Sequence, residues 1–115
     1  MKVIIAGGRD FNDYELLQRT CNWVFKGVET LEIVSGGARG ADKLGERYAK
    51  EIGLTPTVMK ADWDEYGKAA GPIRNSQMAK YADALIAFHD GSSTGTSDMI
   101  KKARRENIHV LIIEY

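Results

Sequence analysis

Short apolar runs alternate with longer amphipathic segments along the 115 residues of the chain. Most of the runs are continuously apolar, which is typical of parallel strands that are covered on both faces. The segments between them repeat apolar residues at helical spacing. This alternation predicts five strands joined by helices. The predicted strands are Val3–Ala6, Leu31–Ser35, Thr57–Met59, Ala84–Phe88 and His109–Ile113.

Four helices are predicted between these strands. Asn12 stands three residues before Glu15, the spacing of a capping box, and therefore marks the start of the first helix. Glycine or asparagine in the left-handed conformation often follows the end of a helix. The predicted helices run from Asn12 to near Gly27, from Ala41 to Gly53, from Ile73 to Tyr81, and from Thr96 to Glu106 with Asn107 as the stop.

This order of elements predicts the fold class. We expect one α/β domain over residues 1–115, with a Rossmann-like, three-layer arrangement of a five-stranded parallel sheet and helices on both faces. Right-handed crossovers limit the possible topologies, and we predict the strand order 3-2-1-4-5. Ligands of such sheets bind beyond the carboxyl ends of the strands, here between the first and fourth strands.

Composition excludes several classes of function. Sixteen basic and sixteen acidic residues balance, so the overall positive charge of a DNA-coating protein is absent, although a local patch remains possible. Cys21 is the single cysteine and the two histidines lack ligand spacing, so we expect no disulfide, no metal and no cofactor. No apolar run approaches the roughly 18 residues of a membrane span, and we expect a cytoplasmic protein without a membrane partner.

The glycines indicate where a ligand binds. Twelve are present, and nine of them lie in segments that lead from a predicted strand into a predicted helix. Parallel strands bring such segments to one edge, where glycine lets backbone amides approach a phosphate closely. Tight turns alone would also use glycine, but they do not explain a one-sided excess. The nine are Gly7, Gly8, Gly36, Gly37, Gly40, Gly67, Gly71, Gly91 and Gly95.

Several side chains near these glycines suit a phosphate-bearing ligand, most simply a nucleotide or a nucleotide derivative. Arginine offers a charged fork to phosphate, and Trp63, in the long connection 60–72, can stack on a base. Asp42 either contacts a ribose or complements its helix dipole, and Thr96 either holds phosphate or caps its helix. The predicted ligand-binding residues are Gly7, Gly8, Arg9, Ser35, Gly36, Gly37, Arg39, Asp42, Trp63, Arg74, Asn75, Asp90, Gly91, Ser92, Gly95 and Thr96.

Taken in order, these loops resemble the SLOG superfamily, in its small YspA-like, YpsA-related branch. The matching stretches are Gly7–Phe11, Ser35–Asp42, Leu44–Glu46, Ala61–Trp63, Gly67–Gly71, Arg74-Asn75, Met78, Asp90-Gly91 and Gly95-Thr96. The resemblance implies that Ser35–Gly37 and Gly95-Thr96 line the phosphate and ribose of the ligand, with Arg9, Arg39 and Arg74 nearby. It also implies a homo-oligomer.

The superfamily includes three kinds of activity, and the chain departs from one of them. Its lonely-guy phosphoribohydrolases cleave the N-glycosidic bond of nucleoside monophosphates and carry Gly-Gly-x-Gly-Thr-x-x-Glu. Here Met99 stands in place of that glutamate, and Asp98 lies about 100° away around the helix. The superfamily also contains DNA-processing protein A, which binds single-stranded DNA, and sensors of nucleotide-derived signals.

Three functions therefore stay open. The favoured one is a sensor or processing domain that binds a nucleotide-type ligand. An N-glycosidase is the alternative, and its candidate catalytic carboxylates are Asp42, Glu46, Asp62 and Asp98. Single-stranded nucleic-acid binding is possible but less favoured, because four aspartates offset the basic residues of a groove: Arg9, Arg39, Lys68 and Arg74 against Asp10, Asp62, Asp64 and Asp90.

Overall fold

A computed structural model describes all residues, 1–115, and contains one five-stranded sheet in the order β3-β2-β1-β4-β5. All four strand pairs are parallel. The strands are β1 Lys2–Gly7, β2 Glu32–Ser35, β3 Thr57–Val58, β4 Ala84–His89 and β5 His109–Glu114. The predicted fold class and strand order are confirmed.

Helices cover both faces of the sheet, which explains why its strands are continuously apolar. The helices are α1 Tyr14–Val24, α2 Ala41–Glu51, α3 Trp63–Tyr66, α4 Ala70–Tyr81 and α5 Thr94–Arg105. None of them combines the length and the apolar character that a helix needs to traverse a bilayer.

Alternate residues of the strands enter two separate apolar layers. Val3 and Ile5 of β1 are buried with residues of α1 and α2, such as Leu17 and Tyr48. Ile4, between them, is buried on the opposite face with side chains of α4 and α5. β1 and β4 are neighbours near the centre of the sheet, and both contribute residues to the two apolar layers.

The starts of α1 and α5 differ from the predicted ones. Asp13, and not Asn12, caps α1, because its Oδ1 accepts a hydrogen bond from the backbone N–H of Leu16 at 3.0 Å. Ser93 similarly caps α5, so that helix begins before Thr96. Asn107 has φ of 59° after the end of α5, which confirms its predicted left-handed conformation.

The connection 60–72, predicted as a loop, is largely helical. It contains α3, a 3₁₀ turn over Gly67–Ala69 and the first turn of α4. Asp62 caps α3 by accepting a hydrogen bond from the N–H of Glu65 at 3.1 Å. Its glycines suggested a break, but only Gly67 has positive φ, of 54°. As a result, Arg74 lies in the second turn of α4 and not in the first turn of its helix.

Gly45 allows α2 to pack closely on β1. A Cβ atom at this position would lie 2.9 Å from the Cβ of Ile5. We expect Gly45→Ala to lower the free energy of unfolding by about 1–3 kcal/mol, the usual cost of overpacking, although alanine favours a helix by about 1 kcal/mol. Urea unfolding measures this change. Lys50→Ala, an exposed substitution in the same helix, is the control, and an equally stable Gly45→Ala variant would contradict the close packing.

Candidate functional site

A cleft lies at the carboxyl edge of the sheet, where the loops after β1 and β2 meet α4 and α5. It has two chambers, and Arg9, Trp63 and Arg74 line both of them. The loop-2 chamber, of about 400 Å³, is also lined by Gly36, Gly37, Ala38, Arg39, Lys43, Lys60 and Ala61. The α5 chamber, of about 510 Å³, is also lined by Lys68, Gly71, Pro72, Asn75, Thr94, Gly95 and Asp98.

A narrow recess of about 70 Å³ connects the two arginines to the end of β1. Asp42 and Asn75 line it together with Thr96, whose hydroxyl lies 3.0 Å from that of Ser93. The recess and the two chambers bring together eleven of the predicted ligand-binding residues. These are Gly7, Arg9, Gly36, Gly37, Arg39, Asp42, Trp63, Arg74, Asn75, Gly95 and Thr96.

Five predicted residues do not line the cleft: Gly8, Ser35, Asp90, Gly91 and Ser92. Ser35 is fully buried beneath it. Asp90 closes its own turn, since its Oδ1 accepts hydrogen bonds from the N–H groups of Ser92 and Ser93, both at 2.9 Å. These residues therefore shape the surrounding loops.

The loop-2 chamber is strongly positive. No carboxylate lines it, whereas five cationic side chains do: Arg9, Arg39, Lys43, Lys60 and Arg74. Lys43 lies 3.6 Å from Glu46, which itself lies outside the chamber. The other four form no ion pair within 4.0 Å. Converging cations without carboxylate partners attract an anion.

Arg74 is held in place from two sides. Its Nη1 donates to the carbonyl of Gly36 at 2.5 Å, and its Nε donates to Oδ1 of Asn75 at 3.0 Å. A Cβ at Gly36 would lie 2.8 Å from that Nη1, so a side chain at this position would displace the guanidinium. Burial lowers the pKa of Arg74, but a guanidinium stays protonated at neutral pH. Arg74 therefore offers a positioned positive charge.

Asp42 brings a nearly buried carboxyl group to the recess. Its Oδ2 accepts a hydrogen bond from the N–H of Ala38 at 3.1 Å. Burial raises the pKa of Asp42 to about 6, although that hydrogen bond and the charge of Arg74 act in the opposite direction. Asp42 is therefore mostly ionised at neutral pH and becomes neutral in mildly acidic solution.

Two backbone amides at the centre of the second loop already donate hydrogen bonds within the protein. The N–H of Gly37 donates to Oγ of Ser35 at 3.1 Å, and that of Ala38 donates to Asp42. Ser35 in turn donates to Oε2 of Glu46 at 2.7 Å. The N–H groups of Gly37 and Ala38 therefore have acceptors without a ligand. The side chains of the cleft carry its positive charge.

All four candidate catalytic carboxylates accept hydrogen bonds within the protein, Asp42 from the N–H of Ala38. Glu46 is buried against Ser35, and Asp62 caps α3. Asp98 faces the α5 chamber, but its Oδ2 accepts hydrogen bonds from Lys102 Nζ at 2.9 Å and from Asn75 Nδ2 at 3.0 Å. Asp42 is the remaining carboxylate on the recess.

Sequence reasoning missed two basic residues of the loop-2 chamber. Lys43 lies in the first turn of α2, and Lys60 follows β3 after one intervening residue. Their position just beyond the carboxyl ends of β2 and β3 was the signal that could have identified them. None of the four aspartates expected to offset the groove lines the cleft, but Asp62 and Asp64 line a neighbouring pocket that shares Lys60 and Trp63 with the loop-2 chamber.

Comparison with known proteins yields a family match and two similar proteins. Residues 1–66 match the YspA, cpYpsA-related SLOG family. Gene 61 protein of Mycobacterium phage D29 is 34% identical over 122 residues, which cover 96% of this chain and 94% of that protein. The X-ray structure of DNA processing protein A (DprA) from Streptococcus pneumoniae is similar with a TM-score of 0.76 at 22% identity. The match covers 99% of this chain but 50% of that chain, and it concerns the fold alone.

The raised pKa of Asp42 predicts how stability changes with pH. Its folded pKa of about 6 exceeds the usual aspartate value of 3.8, so between those values the folded state binds the additional proton. The contribution of Asp42 to stability is therefore complete below about pH 4 and is lost as the pH rises through 6, a change on the order of 2–3 kcal/mol. Asp42→Asn lacks this dependence.

Urea unfolding of both proteins at pH 4 and pH 7.5 tests this prediction. The free energy of unfolding of the parent, minus that of Asp42→Asn, should be larger at pH 4. Because all other groups titrate in both proteins, the difference isolates Asp42. Parallel pH profiles for the two proteins would show that burial does not raise this pKa.

Proposed function

The chain belongs to the YspA, cpYpsA-related SLOG family, and we propose that residues 1–115 form one unit that binds a phosphate-bearing nucleotide or nucleotide-derived ligand in the cleft. The observation that carries this proposal is the convergence of unpaired cations. Arg9, Arg39 and Lys60 make no hydrogen bond or ion pair through their side chains, yet all three line one chamber that no carboxylate enters.

The phosphate contacts Arg9 and Arg74 in this proposal. These are the basic side chains that line the recess and both chambers. A guanidinium binds phosphate through parallel charge-assisted hydrogen bonds, and Arg74 is already oriented by Gly36 and Asn75. Little side-chain freedom would then be lost at Arg74 when the anion binds.

Trp63 supplies a surface for the base. Its side chain is half exposed, and its ring edge lies against α4, where a Cβ at Gly71 would be 3.4 Å from Cη2. Stacking of a base on an aromatic side chain contributes about 1–3 kcal/mol and tolerates any base. This tolerance fits a site that selects the phosphate by charge.

Binding without cleavage is favoured over an N-glycosidase activity. Departure of a base requires a carboxylate free to stabilise the ribosyl centre or to activate water. Glu46, Asp62 and Asp98 each serve other contacts in the fold. Asp42, the candidate that lines the recess, also accepts a hydrogen bond from Ala38. Release of free base during incubation with nucleotides would contradict binding without cleavage.

A single strand of nucleic acid is the second candidate ligand. The unpaired cations and the exposed ring of Trp63 are the two components that strand-binding grooves combine. The similar solved protein is a DNA processing protein, and its likeness makes this candidate worth testing. A strand would place successive phosphates in the same cleft.

Replacing Arg9 tests the proposed phosphate contact. We expect Arg9→Ala to weaken binding of 5′-AMP by about 10–100-fold, the effect of losing one hydrogen-bonded charge on phosphate. Isothermal titration calorimetry measures the affinity, and chromatography of the same mixture detects free adenine. Arg9 has no partner within the protein, so its removal should leave the unfolding transition unchanged.

The control is Arg19→Ala, which removes an exposed arginine of α1 that does not line the cleft. It should bind 5′-AMP as the parent does. Equal affinities for the parent and Arg9→Ala would remove Arg9 from the site, and equal losses in both variants would indicate non-specific attraction.

Replacing Gly95 tests whether this glycine faces the ligand or is needed for packing. No protein atom lies within 4 Å of a Cβ built at this position, which is in the first turn of α5. We expect Gly95→Ala to unfold at an equal or higher urea concentration, because alanine favours a helix. Its methyl group would enter the α5 chamber and weaken 5′-AMP binding by about tenfold. Unchanged affinity would place the nucleotide away from Gly95.

A further inference from the structure

We propose that the cleft binds a ligand with two phosphate groups separated by a nucleoside unit, as in a dinucleotide or a longer strand. A nucleoside monophosphate would then fill only part of it. This inference depends on the proposed function and adds a second anion position, formed by Arg39, Lys43 and Lys60.

The volumes of the two chambers support an extended ligand. They measure about 400 and 510 Å³, and each alone lies within the range of roughly 300–1,000 Å³ for a complete small-molecule site. Arg9, Trp63 and Arg74 line both chambers, so the chambers adjoin along these three residues. Each side therefore has space for a nucleoside as well as a phosphate.

The charges form two groups within this space. Arg9 and Arg74 stand where the chambers adjoin, and they suit the phosphate of the proposed mononucleotide. Within the cleft, Arg39, Lys43 and Lys60 line only the loop-2 chamber. Lys43 is paired with Glu46, but a single phosphate contacting the two shared arginines leaves Arg39 and Lys60 without an anion.

The second group is partly fixed by its surroundings. Lys43 lies 3.6 Å from Glu46, which is buried and accepts a hydrogen bond from Ser35. The stem of Lys60 lies along the second loop, where a Cβ at Gly37 would be 3.4 Å from its Cγ. The second loop thus places the stem of Lys60, and Glu46 holds the ammonium of Lys43 at the edge of the chamber.

The α5 chamber differs in charge. Lys68 and Asp98 line only this side of the cleft, and Asp98 is already paired with Lys102 at 2.9 Å. With one additional cation and one carboxylate, this side suits a nucleoside better than a second phosphate. The geometry therefore assigns the second phosphate to the loop-2 chamber.

Calorimetric titration with 5′-AMP, ADP and pApA, the 5′-phosphorylated adenosine dinucleotide, tests the inference. We expect pApA to bind about tenfold or more tightly than 5′-AMP, because one additional phosphate meets positioned cations. ADP places its second phosphate beside the first, so its affinity should exceed that of 5′-AMP by a smaller factor. The same gain for ADP would overturn the requirement for an intervening nucleoside.

The combined substitution of Lys43→Ala and Lys60→Ala identifies the second anion position. It should lower the affinity for pApA by about tenfold more than the affinity for 5′-AMP, so that the advantage of pApA is lost. The matched control is Lys50→Ala with Lys101→Ala, which removes two exposed lysines outside the cleft and should retain the advantage. An equal loss for both ligands in the Lys43 and Lys60 variant would overturn the assignment.

A ten-nucleotide strand of deoxyadenosine distinguishes the two sources of this chemistry. Tighter binding of the strand than of pApA, with a steeper dependence on salt, would indicate a nucleic-acid segment. Tighter binding of pApA would indicate a free dinucleotide, and either result supports two separated phosphates. If 5′-AMP binds and pApA gains nothing, this inference alone fails, whereas the absence of binding by every probe also refutes the proposed function.

Discussion

The hydrogen bond from Arg74 to the carbonyl of Gly36 joins the two sides of the cleft. Arg74 belongs to α4, whereas Gly36 precedes α2, which covers the opposite face of the sheet. Because the bond crosses the edge of the sheet, it couples the positions of the two helical layers where they approach a ligand. A side chain at position 36 would approach Nη1 of Arg74 to 2.8 Å, so the present position of the arginine depends on the glycine.

Two kinds of glycine occur at this edge, and they have different physical causes. A Cβ at Gly7 would overlap the carbonyl oxygen of Phe88, and one at Gly40 would lie 2.6 Å from that of Arg9. These glycines serve close packing of the backbone. Gly95 has open space around it, so packing does not require it. The one-sided excess of glycine therefore has several causes: the tight junction of the loops, the positive φ of Gly37, Gly67 and Gly91, and the open space at Gly95.

The fold could be predicted from the sequence because strands that are buried on both faces are continuously apolar. The site could be predicted only in outline. Arg9, Arg39 and Arg74 were identified by their loops, but the partners of the Gly37 and Ala38 amides depend on where Ser35 and Asp42 lie in three dimensions. Lys43 and Lys60 were missed because they are remote in the chain and become neighbours only through β2–β3 pairing and the start of α2.

The use of these amides within the protein changes how the cleft can select a ligand. Backbone amides fix an anion at one point, whereas lysine and arginine side chains reach several positions and tolerate small displacements. The fixed elements are instead Arg74, held by Gly36 and Asn75, and the buried carboxyl of Asp42 below it. Since Asp42 loses its charge near pH 6, its repulsion of a neighbouring anion weakens as the solution becomes more acidic. The net charge around Arg74 therefore depends on pH through Asp42.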